Sequence, residues 1–300
     1  MLTTAPPFSM HIVGYLIKRR ESALPWVADY RDFWSPSITG WRRKLAILLE
    51  RRFLCLANAA VFVNKSQRQY ALDAIGWLDY PQAYVITNGF DADDFAKLRG
   101  RVRPDDGYFT LTYTGSLLHD RMQSQFFPAL ELACTDPYIR QRLRVRILGN
   151  FADLYPDITK RLTNWGVLQV TPFAPYQTAL EAIWDADALL IIEPDIYIYR
   201  LSHSNKLFEY LAAGRFILAV VPEGEIAQVI REQQAGIVVH PDDQPAIITA
   251  LRDLITRWEH GNLPVDDGIE RNRRFERREI ARQFAELFDR LIAMRQGVER

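Results

Sequence analysis

The sequence predicts an α/β fold made of two domains built on parallel sheets, and three observations carry that expectation. Short runs rich in β-branched residues alternate with stretches of helical period, the signature of a parallel sheet covered by helices. The alternation stops in a polar stretch, 88–107, and restarts cleanly at Phe109. The chain has 300 residues, which at roughly 150 per domain is room for two.

Taken in order, a helix is predicted over Met10–Arg20 and a strand over Pro25–Tyr30. A long helix follows at Trp41–Leu56, then a strand at Ala60–Asn64. Ser66 is the expected N-cap of the next helix, and a third strand covers Ala83–Thr87. The stretch NGFDADDFAKLRGRVRPDDG that comes next is rich in Gly, Asp and Arg and reads as a domain boundary. Beyond it, strands are predicted at Phe109–Thr114, Val145–Leu148, Leu168–Thr171, Ala188–Ile192, Phe216–Val220 and Gly236–Val239. Helices fall between them at Gln123–Cys134, Ile158–Asn164, Tyr176–Trp184, Ser204–Ala213 and Glu225–Gln233, which makes a complete doubly wound domain. Two more helices, Gln244–Trp258 and Arg271–Arg295, close the chain. The domains are therefore read as 1–95, a linker at 96–107, a second domain at 108–260 and a terminal helical segment at 261–300.

Composition excludes several classes. Hydrophobic residues make up 48% and aromatic residues 12%, too many for a disordered chain. Lys+Arg and Asp+Glu are both 37, so no overall basic field points to nucleic acid. Two cysteines, Cys55 and Cys134, cannot build a disulfide framework or a Cys-rich zinc site, and both are read as core residues on apolar helix faces. The N-terminus lacks the basic and apolar stretches of a signal peptide, and no window reaches the roughly 18 uncharged apolar residues of a membrane span. A cytoplasmic location is expected.

Ligands of an open parallel sheet bind outside the carboxyl ends of its strands. In the second domain this singles out Gly115-Ser116, Gly149-Asn150, Phe173 and Glu193 with the loop after it. That loop leads into SNKLFEYLAAG. Ser202 or Ser204 can cap the helix, and Gly214 can stop it. A helix N-terminus attracts anions, so Lys206 in the first turn works against the macrodipole unless an anion sits there. Glu209, one turn on, suits a ribose diol. An ordinary Lys–Glu surface pair fits the same spacing. The histidines, His11, His119, His203, His240 and His260, show no metal-ligand spacing and are read as surface or capping residues. Asp185-Ala186-Asp187 precedes a strand and is read as a turn.

The run SNKLFEYLAAGRFILA resembles the nucleotide-sugar signature of GT-B glycosyltransferases of the GT4-like group. YVITNGFDADDF, LTYTGSL, RVRILGN, LQVTPFAPYQTALEAIWDADALLI, AGIVVHPDD, RRFERREIARQFAELF and WVADYRDFW resemble further segments of that family in order. The resemblance implies a GT-B fold of two Rossmann-like domains with parallel sheets, its last helix crossing back to the first domain. It implies a sugar transferred from a nucleoside-diphosphate sugar, UDP- or GDP-linked, to a glycan or lipid-linked acceptor. Retention of configuration and no metal or other cofactor are part of the same expectation. Lys206, Arg121 and the Gly115-Ser116 turn would face the diphosphate, with Ser204 completing the cradle and Asn150 beside it. Glu209 would hold the ribose, Phe173 would receive the base, and Arg31 would face the acceptor.

Two features depart from the family pattern. Leu201 stands where many members place a glutamate, which moves the sugar-binding role to His203 or Glu193. The first domain shows three strands in about 90 residues and reads as incomplete at its start. A nucleotide-sugar epimerase and a non-catalytic, partner-dependent binding remnant are the alternatives. The stretch Trp41-Arg42-Arg43-Lys44 followed by apolar residues makes a basic amphipathic helix start, which suits either a packed helix with a solvated end or peripheral contact with a membrane.

Overall fold

A computed structural model describes the chain except residues 77–81, 104, 173, 203 and 297–300. The chain divides into two compact units: 1–89 with 201–203 and 277–300, and 90–200 with 204–276. The first holds β1 (Leu2–Ala5), α1 (Ser9–Arg20), β2 (Val27–Tyr30), α2 (Gly40–Leu56), β3 (Ala59–Phe62), α3 (Lys65–Asp73) and β4 (Ala83–Val85). The strands form a parallel sheet in the order β1-β2-β3-β4. This is four strands where the sequence predicted three. β1 is short and carries only Leu2 and Ala5 as apolar residues, so its pattern is faint.

On one face of this sheet Trp26, Tyr30, Phe33 and Phe62 pack with Phe53 and Leu54 of α2. On the other, Val27, Ala59, Val61 and Ile86 meet Ile280, Leu287 and Leu291 of the terminal helix, Arg277–Gln296. A cavity of about 710 Å³ opens on that side between Leu2, Val27, Phe288 and Leu291. The N-cap of α3 is Asn64, whose side chain accepts from the Gln67 amide at 2.7 Å, so Ser66 lies inside the helix.

The burial of α1 runs against its composition. His11, Gly14 and Lys18 face inward, while Met10, Ile12, Val13, Leu16 and Ile17 are exposed. A Cβ on Gly14 would lie 2.8 Å from Thr3 and Trp26, so the glycine lets the helix sit tight on the sheet. His11 is therefore a core residue and not a surface one. It shares a hydrogen bond of 2.9 Å with Thr3, and burial lowers its pKa to about 4. Lys18 donates to the carbonyls of Ser22 and Leu24 at 2.6 and 2.8 Å. Cys55 is exposed, against expectation; Cys134 is buried, and burial pushes its thiol up to about 12.

The second unit opens with α4 (Ala92–Ala96), inside the polar stretch read as boundary, and Phe90, Phe95 and Leu98 from that stretch are buried in its core. β5 (Phe109–Thr114), α5 (His119–Met122), α6 (Phe126–Ala133), α7 (Pro137–Arg140), β6 (Leu143–Leu148), α8 (Pro156–Asn164) and β7 (Leu168–Thr171) follow. Then come α9 (Tyr176–Asp185), β8 (Ala188–Ile192), α10 (Tyr197–Leu201), α11 (Asn205–Ala213), β9 (Phe216–Val220), α12 (Glu225–Glu232), β10 (Gly236–Val239), α13 (Gln244–Glu259) and α14 (Gly268–Arg271). The helix expected over 123–134 is the single helix α6, with the separate short α5 before it, and the one expected over 271–295 is a 3-10 turn at Arg273–Phe275 followed by the terminal helix, α15.

All six strands are parallel, in the order β10-β9-β8-β5-β6-β7. β8 shows why it lies at the centre. Ala188, Leu190 and Ile192 face one apolar cluster and Leu189 and Ile191 the other, as a strand covered on both sides requires. Among the described residues, no helix is long and apolar enough to cross a membrane.

Candidate functional site

The strand order of the second sheet reverses between β5 and β8, and the residues after these strands build the site. β5 ends in Gly115 at φ +99° and β6 in Gly149 at φ +135°, values that favour glycine. The two turns press together: a Cβ on Gly149 would stand 2.4 Å from the Gly115 carbonyl oxygen. Backbone is thereby left bare at the strand ends.

β8 ends in Glu193, 2% exposed, which accepts from Arg121 Nε at 2.7 Å. Arg121 also donates to the Ser116 carbonyl at 3.5 Å and lies 5.4 Å from the Tyr199 ring centre. Burial alone would lower the Arg121 pKa; the Glu193 carboxylate more than offsets it, and the net shift is upward.

Lys206 stands in the first turn of α11. Its Nζ lies 3.8 Å from the centre of the Tyr113 ring, a cation–π contact, and 3.7 Å from where a Gly115 Cβ would be. Burial lowers its pKa to about 7, Arg121 adds to the effect, and Glu193 and Glu209 oppose it. An ammonium this poorly hydrated gains much from an anion brought beside it.

Tyr113 is fully buried, its hydroxyl donating to the Ser116 carbonyl at 3.0 Å. Tyr210 on α11 accepts from the Thr114 amide at 2.9 Å, which ties the helix to the end of β5. Glu209 lies 3.4 Å from the Tyr176 hydroxyl, which also donates to Asp94 at 3.0 Å. Ser204 occupies the N-cap position of α11, but its hydroxyl makes no capping bond, contrary to expectation.

Gly115, Ser116, Arg121, Asn150, Ser204, Lys206 and Glu209 all lie in the second unit, where Gly115 lies beside Lys206, Arg121 binds Glu193, and the Ser116 carbonyl accepts from Arg121 and Tyr113. Asn150 is exposed, with its carbonyl bound by the Leu117 amide at 2.8 Å. Phe173 and His203 lie outside the described residues. Arg31 belongs to the first unit. It pairs with Asp29 at 3.0 Å and donates to Asn88 at 2.6 Å. Sequence reasoning missed the ring of Tyr113 beneath Lys206; β5 alternates Phe109, Leu111 and Tyr113 with threonines, so Tyr113 reads as one more core residue of the strand.

Asp185 and Asp187 serve the chain itself. Arg101 binds Asp185, and buried Asp187 accepts from the Thr110 amide at 2.8 Å and from Arg103. Among the described residues, one trio, Asp195, His240 and Asp242, is close enough to share a cation. All three are exposed, and Arg200 already holds Asp195 through two hydrogen bonds.

The Arg121–Glu193 pair yields a prediction about stability. Glu193→Gln keeps a hydrogen-bond acceptor and is expected to cost about 1–3 kcal/mol. Arg121→Met strands a buried carboxylate and is expected to cost about 3–5 kcal/mol. Urea unfolding measures both; equal costs would mean that the carboxylate does not depend on Arg121.

No protein-family model matches the chain, and no curated protein sequence does. Solved structures do match. Sucrose-phosphate synthase from Thermosynechococcus elongatus superposes over 98% of this chain and 73% of its own, with a TM-score of 0.70 at 15% identity. The chain has the GT-B fold. Two more GT-B structures are similar. HepE from Anabaena, in complex with UDP-glucose, matches over 96% of this chain and 78% of its own, with a TM-score of 0.66 at 18% identity. WaaG, a glycosyltransferase involved in lipopolysaccharide biosynthesis, matches over 84% and 74%, with a TM-score of 0.61 at 15% identity. In this GT-B chain the second sheet carries the glycine turns and Lys206 described above.

Proposed function

We propose that the chain is a glycosyltransferase that moves a sugar from a nucleoside-diphosphate sugar to an acceptor hydroxyl. The observation that carries this reading is the Lys206 ammonium, held over Tyr113 in the first turn of α11 beside the bare Gly115 turn. The GT-B neighbour solved with UDP-glucose supports a nucleotide-sugar donor.

Breaking the bond between the anomeric carbon and the diphosphate leaves negative charge on the departing oxygen. Lys206, Arg121 and the first-turn amides of α11 are the groups that stabilise it. The Gly115 and Gly149 turns let the diphosphate approach the backbone, with Ser116, Asn150 and Ser204 beside it. Glu209 holds the ribose hydroxyls, Phe173 receives the base, and Arg31 serves the acceptor. Retention of configuration without a metal, and a UDP- or GDP-linked donor, belong to the same reading. So does an acceptor that is a glycan or lipid-linked glycan of bacterial surface biosynthesis, met at a membrane through the basic start of α2.

Thermal unfolding with UDP, GDP and ADP tests the donor site. A ligand at a hundred times its Kd stabilises the native state by about 2.7 kcal/mol, so at least one diphosphate is expected to raise Tm by several degrees. No shift with any of the three at millimolar concentration would remove the assignment.

A further inference from the structure

Two cations, Arg121 and Lys206, meet one buried carboxylate, Glu193, beside the Gly115 turn, and the pairing is one-sided. Glu193 follows β8 with its side chain 2% exposed, and Arg121 of α5 takes it, Nε to Oε2 at 2.7 Å. Arg121 is fixed from two other directions, by the Ser116 carbonyl at 3.5 Å and by the Tyr199 ring at 5.4 Å. Lys206 of α11 is left over. Among the described residues its Nζ makes no hydrogen bond and has no carboxylate oxygen within 4.0 Å. It rests on the face of Tyr113, 3.8 Å from the ring centre.

An aromatic ring holds an ammonium without neutralising it, because it offers a quadrupole and no charge. The Tyr113 hydroxyl is engaged elsewhere, on the Ser116 carbonyl at 3.0 Å, so Lys206 meets the ring alone. Any excess positive charge of the three groups therefore sits on Lys206, which is half-buried and borders the bare Gly115 backbone. Glu193 is still within electrostatic reach of Lys206 and favours its charged form, as Glu209 does from α11 itself, while Arg121 opposes them. A carboxylate bound to Lys206 would spoil it as an anion site. That pair would have to break, leaving a buried charge unpaired, before a diphosphate could take the ammonium. Arg121 removes this obstacle by taking the carboxylate first.

We propose that Arg121 is a positioning residue for Lys206: by occupying Glu193 it keeps the Lys206 ammonium, held on the Tyr113 ring, unpaired and open to an anion. The proposal rests on the donor-site reading for its purpose and gives Arg121 a second task there. Lys206 is titrated without ligand, so each can fail alone.

The test is trace acetylation of the ligand-free chain across a range of pH, with each lysine read by peptide mass spectrometry. The midpoint of labelling against pH reports the charge on the amine and not its accessibility. In the wild-type chain the Lys206 midpoint is expected at about 7. In Arg121→Met it is expected to move up toward the ordinary lysine value, so that labelling at neutral pH falls about tenfold or more. Arg121→Gln keeps a hydrogen bond to Glu193 without the charge; it is expected to behave alike and serves if the methionine variant does not fold. Adding Glu193→Gln to either variant is expected to bring the midpoint back down, because the carboxylate that held the proton is gone. A purely structural Arg121 would lower stability and leave the midpoint in place. An unmoved midpoint in the Arg121 variants overturns the proposal, and so does an upward shift that Glu193→Gln fails to reverse.

Discussion

Lys206→Ala is expected to lower turnover by about 10²–10³-fold, the cost of removing one preorganised donor from a developing anion. The fold should survive, because the change removes a poorly hydrated ammonium and leaves the Tyr210 tie between α11 and β5 in place. A second measurement ties the loss to charge. With a pKa near 7, well below the ordinary lysine value of 10.5, the empty site holds the amine largely neutral at higher pH. A diphosphate brought beside it restores the ammonium. Binding of UDP at about pH 8 should therefore take up close to one proton, seen as a dependence of the calorimetric heat on buffer ionisation. The Lys206→Ala protein should take up none.

The sign for stability follows from the same shift. Above pH 7 the folded chain has released a proton that the unfolded chain keeps up to its own, higher pKa. The ligand-free protein therefore gains stability as pH rises from about 7 toward 10. Full turnover in Lys206→Ala, or equal proton uptake in both proteins, would refute the role given to this residue.

Gly149→Ala is expected to cost about 2–5 kcal/mol, the sum of backbone strain at a left-handed angle and overpacking. The new Cβ would stand 2.4 Å from the Gly115 carbonyl oxygen and 2.8 Å from its carbon, and both are backbone atoms with little room to move. Against a total stability of roughly 5–15 kcal/mol, that is a large fraction. Gly261→Ala is the control. Gly261 also has a positive φ, +66°, but a Cβ there would meet nothing within 4 Å. It should cost only the left-handed penalty of about 1–2 kcal/mol. Denaturant unfolding compares the two, and equal losses would mean that the glycine turns do not press together. Because the displaced Gly115 backbone borders the proposed donor site, UDP affinity is expected to fall in Gly149→Ala and to hold in Gly261→Ala.

Much of the second unit was legible in the amino-acid order because a doubly covered parallel sheet writes a strong local signal. β8 and β9 are unbroken apolar runs, and each glycine turn follows its strand directly. The first unit was harder. β1 is a four-residue edge strand whose inward residues are Thr3 and Ala5, too little apolar surface to announce a strand. Asn64 caps α3 and Ser66 does not, a choice between two good capping residues that only backbone angles make. In α1 the periodicity was plain but its direction was not. A helix normally buries its apolar row; here Gly14 draws the other side onto Trp26 and Thr3, and His11 and Lys18 are buried with it.

The sequence by itself determined the order of the elements, the glycines that end β5 and β6, and a lysine in the first turn of α11. Those are local properties, set by side-chain period and by backbone angles open to few residues. The tertiary structure alone decided that Glu193 holds Arg121, 72 residues away, and that the Tyr113 ring lies under Lys206. It also decided that α1 shows its apolar row to the outside. These depend on which strand ends meet and which face of a helix finds room. Packing settles both among residues distant in sequence, where no spacing rule reaches.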